Sequence, residues 1–160
     1  MRLLIAAVGK LKDDAERDMC DRYQKRFNAT GRSLGLGPLE FAELGEARGT
    51  SAEARKNDEA QRLIKLSSQA GFVIALEVEG RAITSASFAT EIARQRDTGI
   101  KSLAILIGGP DGHGKDVLAA AGMKLSLGPL TLPHGLARVV LAEQLYRAVT
   151  ILSGHPYHRA

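Results

Sequence analysis

Residues 2–8 form an almost unbroken apolar run that stops at Gly9, as a buried strand does. Residues 13–28 are charged, with Ala15, Met19, Tyr23 and Phe27 at every fourth position. That stripe predicts an amphipathic helix, capped by Asp13 or Asp14. Gly31, Gly35 and Gly37 mark a loop, and Leu39–Leu44 reads as a second strand. Residues 51–69 are again helical in pattern, with Ala54, Glu59, Ala60, Leu63, Ile64 and Leu66 on one face. Phe72–Val78 is a short apolar run ending in Glu79-Gly80, hence a strand. Ser85 or Ser87 suits the cap of a helix reaching about Arg96, and Gly99 ends it. Ser102–Ile107 is another apolar run, closed by Gly108-Gly109.

Further on, residues 116–122 predict a short helix. Lys124–Leu132 reads as a short strand, then Gly128-Pro129, then a second short strand or loop. Pro133 sets φ where a helix begins, and His134–Leu152 is a long apolar helix stopped by Gly154 and Pro156. Strands alternate with helices. The expected fold is α/β: a mostly parallel sheet with helices on both faces. No linker or repeat divides the chain, so residues 1–160 read as a single domain.

Composition narrows this only a little. The 160 residues are 44% hydrophobic and 25% charged, near the globular average, which excludes disorder and fibrous folds. The net charge of +4 permits a polyanionic partner without demanding one. A single cysteine, Cys20, excludes an intramolecular disulfide and any multi-cysteine zinc site. The first apolar run is too short to span a membrane and lacks a cleavage signal, so a cytoplasmic location is expected. The informative feature is crowding. All four histidines and four of the five prolines lie in the last third of the chain.

Four segments there carry candidate chemistry. The first is Ile107-Gly108-Gly109-Pro110-Asp111-Gly112-His113-Gly114-Lys115, between a strand and a helix. Ligands bind at such strand ends in open α/β sheets, although a glycine-rich turn without a ligand has the same composition. The run nearly spells a phosphate loop, but Asp116 stands where Ser or Thr would bind the metal. Asp111 and Asp116 would also repel phosphates. The second is Leu125–His134, where Pro129 and Pro133 stiffen the backbone and leave main-chain groups available to a polar ring edge; a plain connecting loop is the alternative. The third is the long helix, apolar nearly all round and therefore buried, in part against a second subunit. In it Glu143 and Arg147 pair at i,i+4, and Arg138 is a candidate for anion contact. The fourth is Gly154-His155-Pro156-Tyr157-His158-Arg159-Ala160, either a frayed end or a tail able to stack, hold phosphate and move a proton.

In order and spacing, the IGGPDG loop, the SLGPLTLPH segment, the LARVVLAEQLYRA helix and the HPYHR ending together resemble the RlmH family. This is the ribosomal RNA large-subunit methyltransferase H group of SPOUT (trefoil-knotted) methyltransferases. The opening LLIAAVGKLK and the stretch Ala75–Gly80 resemble it too, so the likeness covers the whole chain. The resemblance implies a C-terminal trefoil knot, a homodimer, and S-adenosyl-L-methionine as cofactor. It implies methylation at N3 of a pseudouridine in helix 69 of 23S rRNA, in the 70S ribosome or large subunit, with no DNA, membrane or metal involved. Transferred residue by residue, the cofactor site is Leu76, Gly108, Gly109 and Leu127, Gly128, Pro129, Leu130, Thr131 and Leu132. His113 receives no role.

On that reading the base nitrogen is held about 3–3.5 Å from the methyl carbon, in line with sulfur. His158 assists loss of the N3 proton, because imidazole titrates near neutral pH. Tyr157 positions the base, Arg159 and Arg138 meet phosphates, and His134 faces the substrate. Two rivals stand beside it. One is a non-catalytic RNA- or nucleotide-binding α/β module, and the other a P-loop-like NTPase, which Asp116 disfavours.

Overall fold

The computed structural model describes residues 1–12 and 14–158; Asp13, Arg159 and Ala160 lie outside the described residues. In chain order the main elements are β1 (Arg2–Val8), α1 (Ala15–Gly31), β2 (Leu39–Leu44), α2 (Ala52–Leu66), β3 (Phe72–Ala82), α3 (Ser85–Asp97), β4 (Ser102–Ile107), α4 (Lys115–Ala120), β5 (Met123–Ser126) and α5 (His134–Ser153). The five strands form one sheet in the order β2-β1-β4-β3-β5. All four pairings are parallel.

Helices cover both faces. Leu3, Ile5 and Ala7 of β1 share one core with Phe27 of α1, Phe88 and Ile92 of α3, and Leu141 and Leu145 of α5. Ala6 and Val8 point to the other face and join Ala60 and Leu63 of α2 and Val117 of α4. The central strands therefore read as continuous apolar runs because both of their faces are buried. Helix α5 packs against both α1 and α3, which accounts for its lack of a polar side. Among the described residues, no helix is long and apolar enough to cross a membrane.

Several expectations are adjusted by the structure. In α1 the buried residues are Cys20, Phe27 and Gly31, while Met19 is 37% exposed. Each four-residue step turns the helix by about 400°, so an every-fourth stripe drifts off the core face within two steps. The buried Cys20 thiol is pushed up to about 11 by burial, which leaves it inert as a nucleophile. Asp14 caps α1 by accepting the Glu16 N–H. The α3 cap is Thr84, not Ser85 or Ser87; its Oγ1 accepts the Ser87 N–H at 3.1 Å. Strand β3 runs past Val78 to Ala82, but its pairing with β5 jumps from Leu76 to Arg81, both opposite Leu125. Residues 77–80 bulge out of the ladder between those points. After β5, residues 127–133 are loop, with no second short strand.

One side chain ties these layers together. Arg138 of α5 is 1% exposed. Its Nη2 donates to the carbonyls of Val8 and Gly9, both at 2.7 Å, and its Nη1 meets Glu43 Oε1 at 3.0 Å. Glu43 in turn accepts from Arg17 at 3.1 Å and from the Leu11 N–H at 3.0 Å. Burial lowers the Arg138 pKa from its ordinary value, opposed by Glu43. Replacing Arg138 with Ala takes the shared donor from the Val8 and Gly9 carbonyls and removes one of the two cations paired with Glu43. Urea titration is expected to show a loss of about 3–5 kcal/mol; a loss below 1 kcal/mol contradicts this account.

Candidate functional site

Three chain segments leave the sheet at the carboxyl ends of the strands and face one another. They are the bulge after Leu76, the glycine-rich loop after β4, and the loop joining β5 to α5. Between them lies a cleft of about 540 Å³. The edge is the one where parallel α/β sheets bind ligands.

The glycine-rich loop is folded back on itself. Gly112 donates its N–H to the Gly109 carbonyl at 2.9 Å. Helix α2 then fixes the loop from behind. Arg55 holds Asp111 through Nε at 2.7 Å and Nη2 at 3.2 Å, and this hydrogen-bonded pairing keeps the Asp111 carboxyl below its ordinary pKa. Glu59, 3% exposed, presses its Oε2 against Gly109, where an added Cβ would stand only 2.6 Å away. A side chain there would have to displace the Glu59 carboxylate and would also crowd Val8 at 3.1 Å. The same face of α2 pins the segment after β2. Arg62 donates to the Gly45 carbonyl, Glu59 accepts the Ala47 N–H at 2.9 Å, and Arg55 donates to the Gly49 carbonyl at 3.1 Å.

The β5–α5 loop forms the facing wall. Gly128 has φ +116, a backbone conformation that side-chain-bearing residues avoid. Ser126 Oγ braces it by donating to the Val78 carbonyl at 2.9 Å and accepting the Gly128 N–H at 3.2 Å. Leu130 stands 79% exposed at the rim.

Of the residues expected at the cofactor, Leu76, Gly108, Gly109, Leu127, Gly128, Leu130, Thr131 and Leu132 all line this one cleft, although more than fifty residues separate the first from the last. Pro129 is exposed and outside the lining. His134, expected at the substrate, lines the cleft at the start of α5. Arg138 does not fit the phosphate contact expected of it, since its guanidinium is buried and committed to Glu43, Val8 and Gly9. Arg159 lies outside the described residues.

Tyr157, in the described part of the tail, docks elsewhere on its own chain. Tyr157 donates its hydroxyl to Glu143 Oε1 at 3.0 Å and packs 4.7 Å from the Tyr146 ring, with the Arg147 guanidinium 5.1 Å from its own ring centre. Burial, then the Glu143 contact, pushes the Tyr157 phenol up to about 12. Glu143 and Arg147 pair as expected, at 2.6 Å. Neither Tyr157 nor His158 lines the cleft. Its α5 wall is formed by His134 and Ala137, whereas Glu143 lies about 13 Å further along the helix, nine residues on.

Sequence reasoning missed Glu77, Val78 and His113 in the lining. The first two looked like ordinary strand residues, and only the bulge turns them into the cleft. His113 is 7% exposed, with its imidazole set close to the main chain of Leu76 and Leu106. Burial pushes its pKa below the ordinary 6.5, while Glu77 and the carbonyls of Leu106 and Leu76 pull the other way.

The comparisons with known proteins give the class to which this fold and cleft belong. The family model described as "Predicted SPOUT methyltransferase" matches residues 1–158, and the chain belongs to that family. It is 48% identical over 160 residues to the ribosomal RNA large subunit methyltransferase H of Xanthobacter autotrophicus, covering all of both chains. The protein of the same name from Sinorhizobium medicae is 47% identical, again with both chains fully covered. Among solved structures, a probable methylase family protein from Haemophilus influenzae superposes with a TM-score of 0.53. That match has 12% identity and covers 99% of this chain and 70% of the other, so it speaks for the fold alone.

The buried neutral imidazole has a measurable consequence. The unfolded chain takes up a proton at His113 near pH 6.5 and the folded chain only at lower pH. Its effect on stability is therefore nil well above pH 6.5 and grows as pH falls through that value. Denaturant titrations at pH 7.5 and 5.5 are expected to show a smaller acid-induced loss for His113→Leu than for wild type.

Proposed function

We propose that this protein methylates large-subunit ribosomal RNA with S-adenosyl-L-methionine. The observation that carries the reading is the 48% identity, over the whole of both chains, to a protein of that named activity. The finer assignment follows the family resemblance: N3 of a pseudouridine in helix 69 of 23S rRNA, on the assembled ribosome, by a cytoplasmic homodimer with a C-terminal trefoil knot.

The chemistry of the cleft supports the cofactor. Its volume falls within the roughly 300–1,000 Å³ of small-molecule sites. Its lining is mainly apolar side chains and glycine backbone, with no Lys or Arg among the described lining residues. That suits a ligand with an apolar ring, a ribose and no phosphate better than a nucleoside triphosphate. When bound, this cofactor supplies an electrophilic methyl group. The protein's part is positioning and proton removal. The walls after β4 and β5 exclude water around the donor, and His134 stands at the mouth toward the incoming base. His158 accepts the N3 proton, Tyr157 orients the base, and Arg159 holds a phosphate.

Because the described tail does not line its own chain's cleft, this assignment brings the tail of one subunit to the cleft of the other. Val78 and Leu130, both in the cleft lining, are 58% and 79% exposed, apolar area that a second subunit would cover.

Calorimetry is expected to detect S-adenosyl-L-methionine and S-adenosylhomocysteine at micromolar affinity and no binding of ATP. Binding of ATP alone points to the NTPase reading. Deleting residues 157–160 is expected to abolish rRNA methylation while leaving cofactor binding within about threefold, a change of under 1 kcal/mol. Retained methylation removes the tail from the mechanism.

A further inference from the structure

The charge census of the cleft runs against that of the protein. The chain carries a net charge of +4. Yet among the described residues lining the cleft, Glu77 alone carries a formal charge at neutral pH, and it is negative. The other titratable groups in the lining are His113 and His134. His113 is nine-tenths buried, and burial holds it toward the neutral form. No cation in the lining therefore cancels Glu77.

The fold places this carboxylate deliberately. Glu77 directly follows Leu76, where β3 leaves its pairing with β5. The bulge turns the next residues out of the sheet and into the cleft wall. Glu77 Oε1 accepts the Val78 N–H at 3.1 Å, which holds the half-buried carboxylate against its own strand. Its field is felt across the cleft, where it favours protonation of His113. A fixed negative charge in an otherwise apolar cavity selects a ligand with a compensating positive charge.

We propose that Glu77 reads the charge on the cofactor's sulfur and so separates the methyl donor from its product. The proposal rests on the methyl-donor reading above. During transfer the sulfur–carbon bond breaks and sulfur keeps the electron pair. The nitrogen–carbon bond forms, and the proton of the acceptor nitrogen leaves to the base. The sulfonium cation thus becomes a neutral thioether, and the attraction to Glu77 ends with the reaction. Donor and product share adenine, ribose, ammonium and carboxylate. Only the charge at sulfur and the methyl group differ, so a carboxylate serving the shared groups treats both alike.

The test uses calorimetry on the full-length protein with three ligands: S-adenosyl-L-methionine, S-adenosylhomocysteine, and sinefungin, whose amine places a positive charge near the sulfur position. Glu77→Gln is expected to weaken S-adenosyl-L-methionine and sinefungin about tenfold or more, the range of a lost charge-assisted contact. It is expected to change S-adenosylhomocysteine by less than about threefold, the effect of an exposed charge. Glu77→Asp keeps the charge and is expected to restore the preference for the cationic ligands. In wild type, raising the salt concentration is expected to weaken the two cationic ligands more than the neutral one; this measurement stands even if the variants fold poorly. Equal weakening of all three ligands, or no change, overturns the proposal while leaving the methyl-donor reading intact. Wild-type protein that binds none of the three overturns both.

Discussion

The structure depends on a cation placed where water does not reach. Arg138 sits in the interior with its guanidinium split between two main-chain carbonyls at the end of β1 and a carboxylate from β2. Such a group is costly to bury and is retained only where its partners are fixed. Here the partners are strand ends, so the guanidinium sets the position of α5 relative to the sheet. Everything that α5 carries inherits that position. Its first turn closes the cleft through His134 and Ala137, and its middle turns hold the tail through Glu143, Tyr146 and Arg147.

A second device acts from the opposite face. Helix α2 presents Arg55, Glu59 and Arg62 at successive turns of one face, and these grip residues 45, 47 and 49 of the segment after β2. Arg55 also holds the glycine-rich loop, through Asp111, while the buried Glu59 carboxylate packs beside Gly109. The two segments cannot separate without breaking the bonds of Arg55 to Asp111 on one side or to Gly49 on the other. The cleft is thus walled by loops but supported by helices, which is how irregular backbone achieves a defined shape.

Much of this was legible from the residues. The double-sided burial of β1 and β4 shows as unbroken apolar runs, and the all-round burial of α5 shows as a helix with no polar side. The residues expected at the cofactor came only from family resemblance, and all of them but Pro129 line one cleft. What stayed hidden was the work of polar groups at long range. Arg138 looked like an anion contact because nothing in a single helix reveals that Val8, Gly9 and Glu43 lie opposite it. Asp111 looked like a phosphate repellent because its partner, Arg55, is 56 positions away. The bulge after Leu76 is set by β5, a strand read correctly in place but not in register, and so Glu77 passed as an ordinary strand residue.

The strand order β2-β1-β4-β3-β5 also has a consequence for how the protein comes into being. Its cleft is assembled from residues near 77, 110 and 130, and the tie that seats its last wall joins residues 129 and 130 positions apart. Contacts of such long sequence separation form late, after loop-closure entropy has been met. A nascent chain that has emerged as far as β5 holds every strand of the sheet. It still lacks Arg138, the α5 wall and the tail. Competence to bind a ligand therefore arrives with the final helix, so that a partly made chain is a sheet without a site.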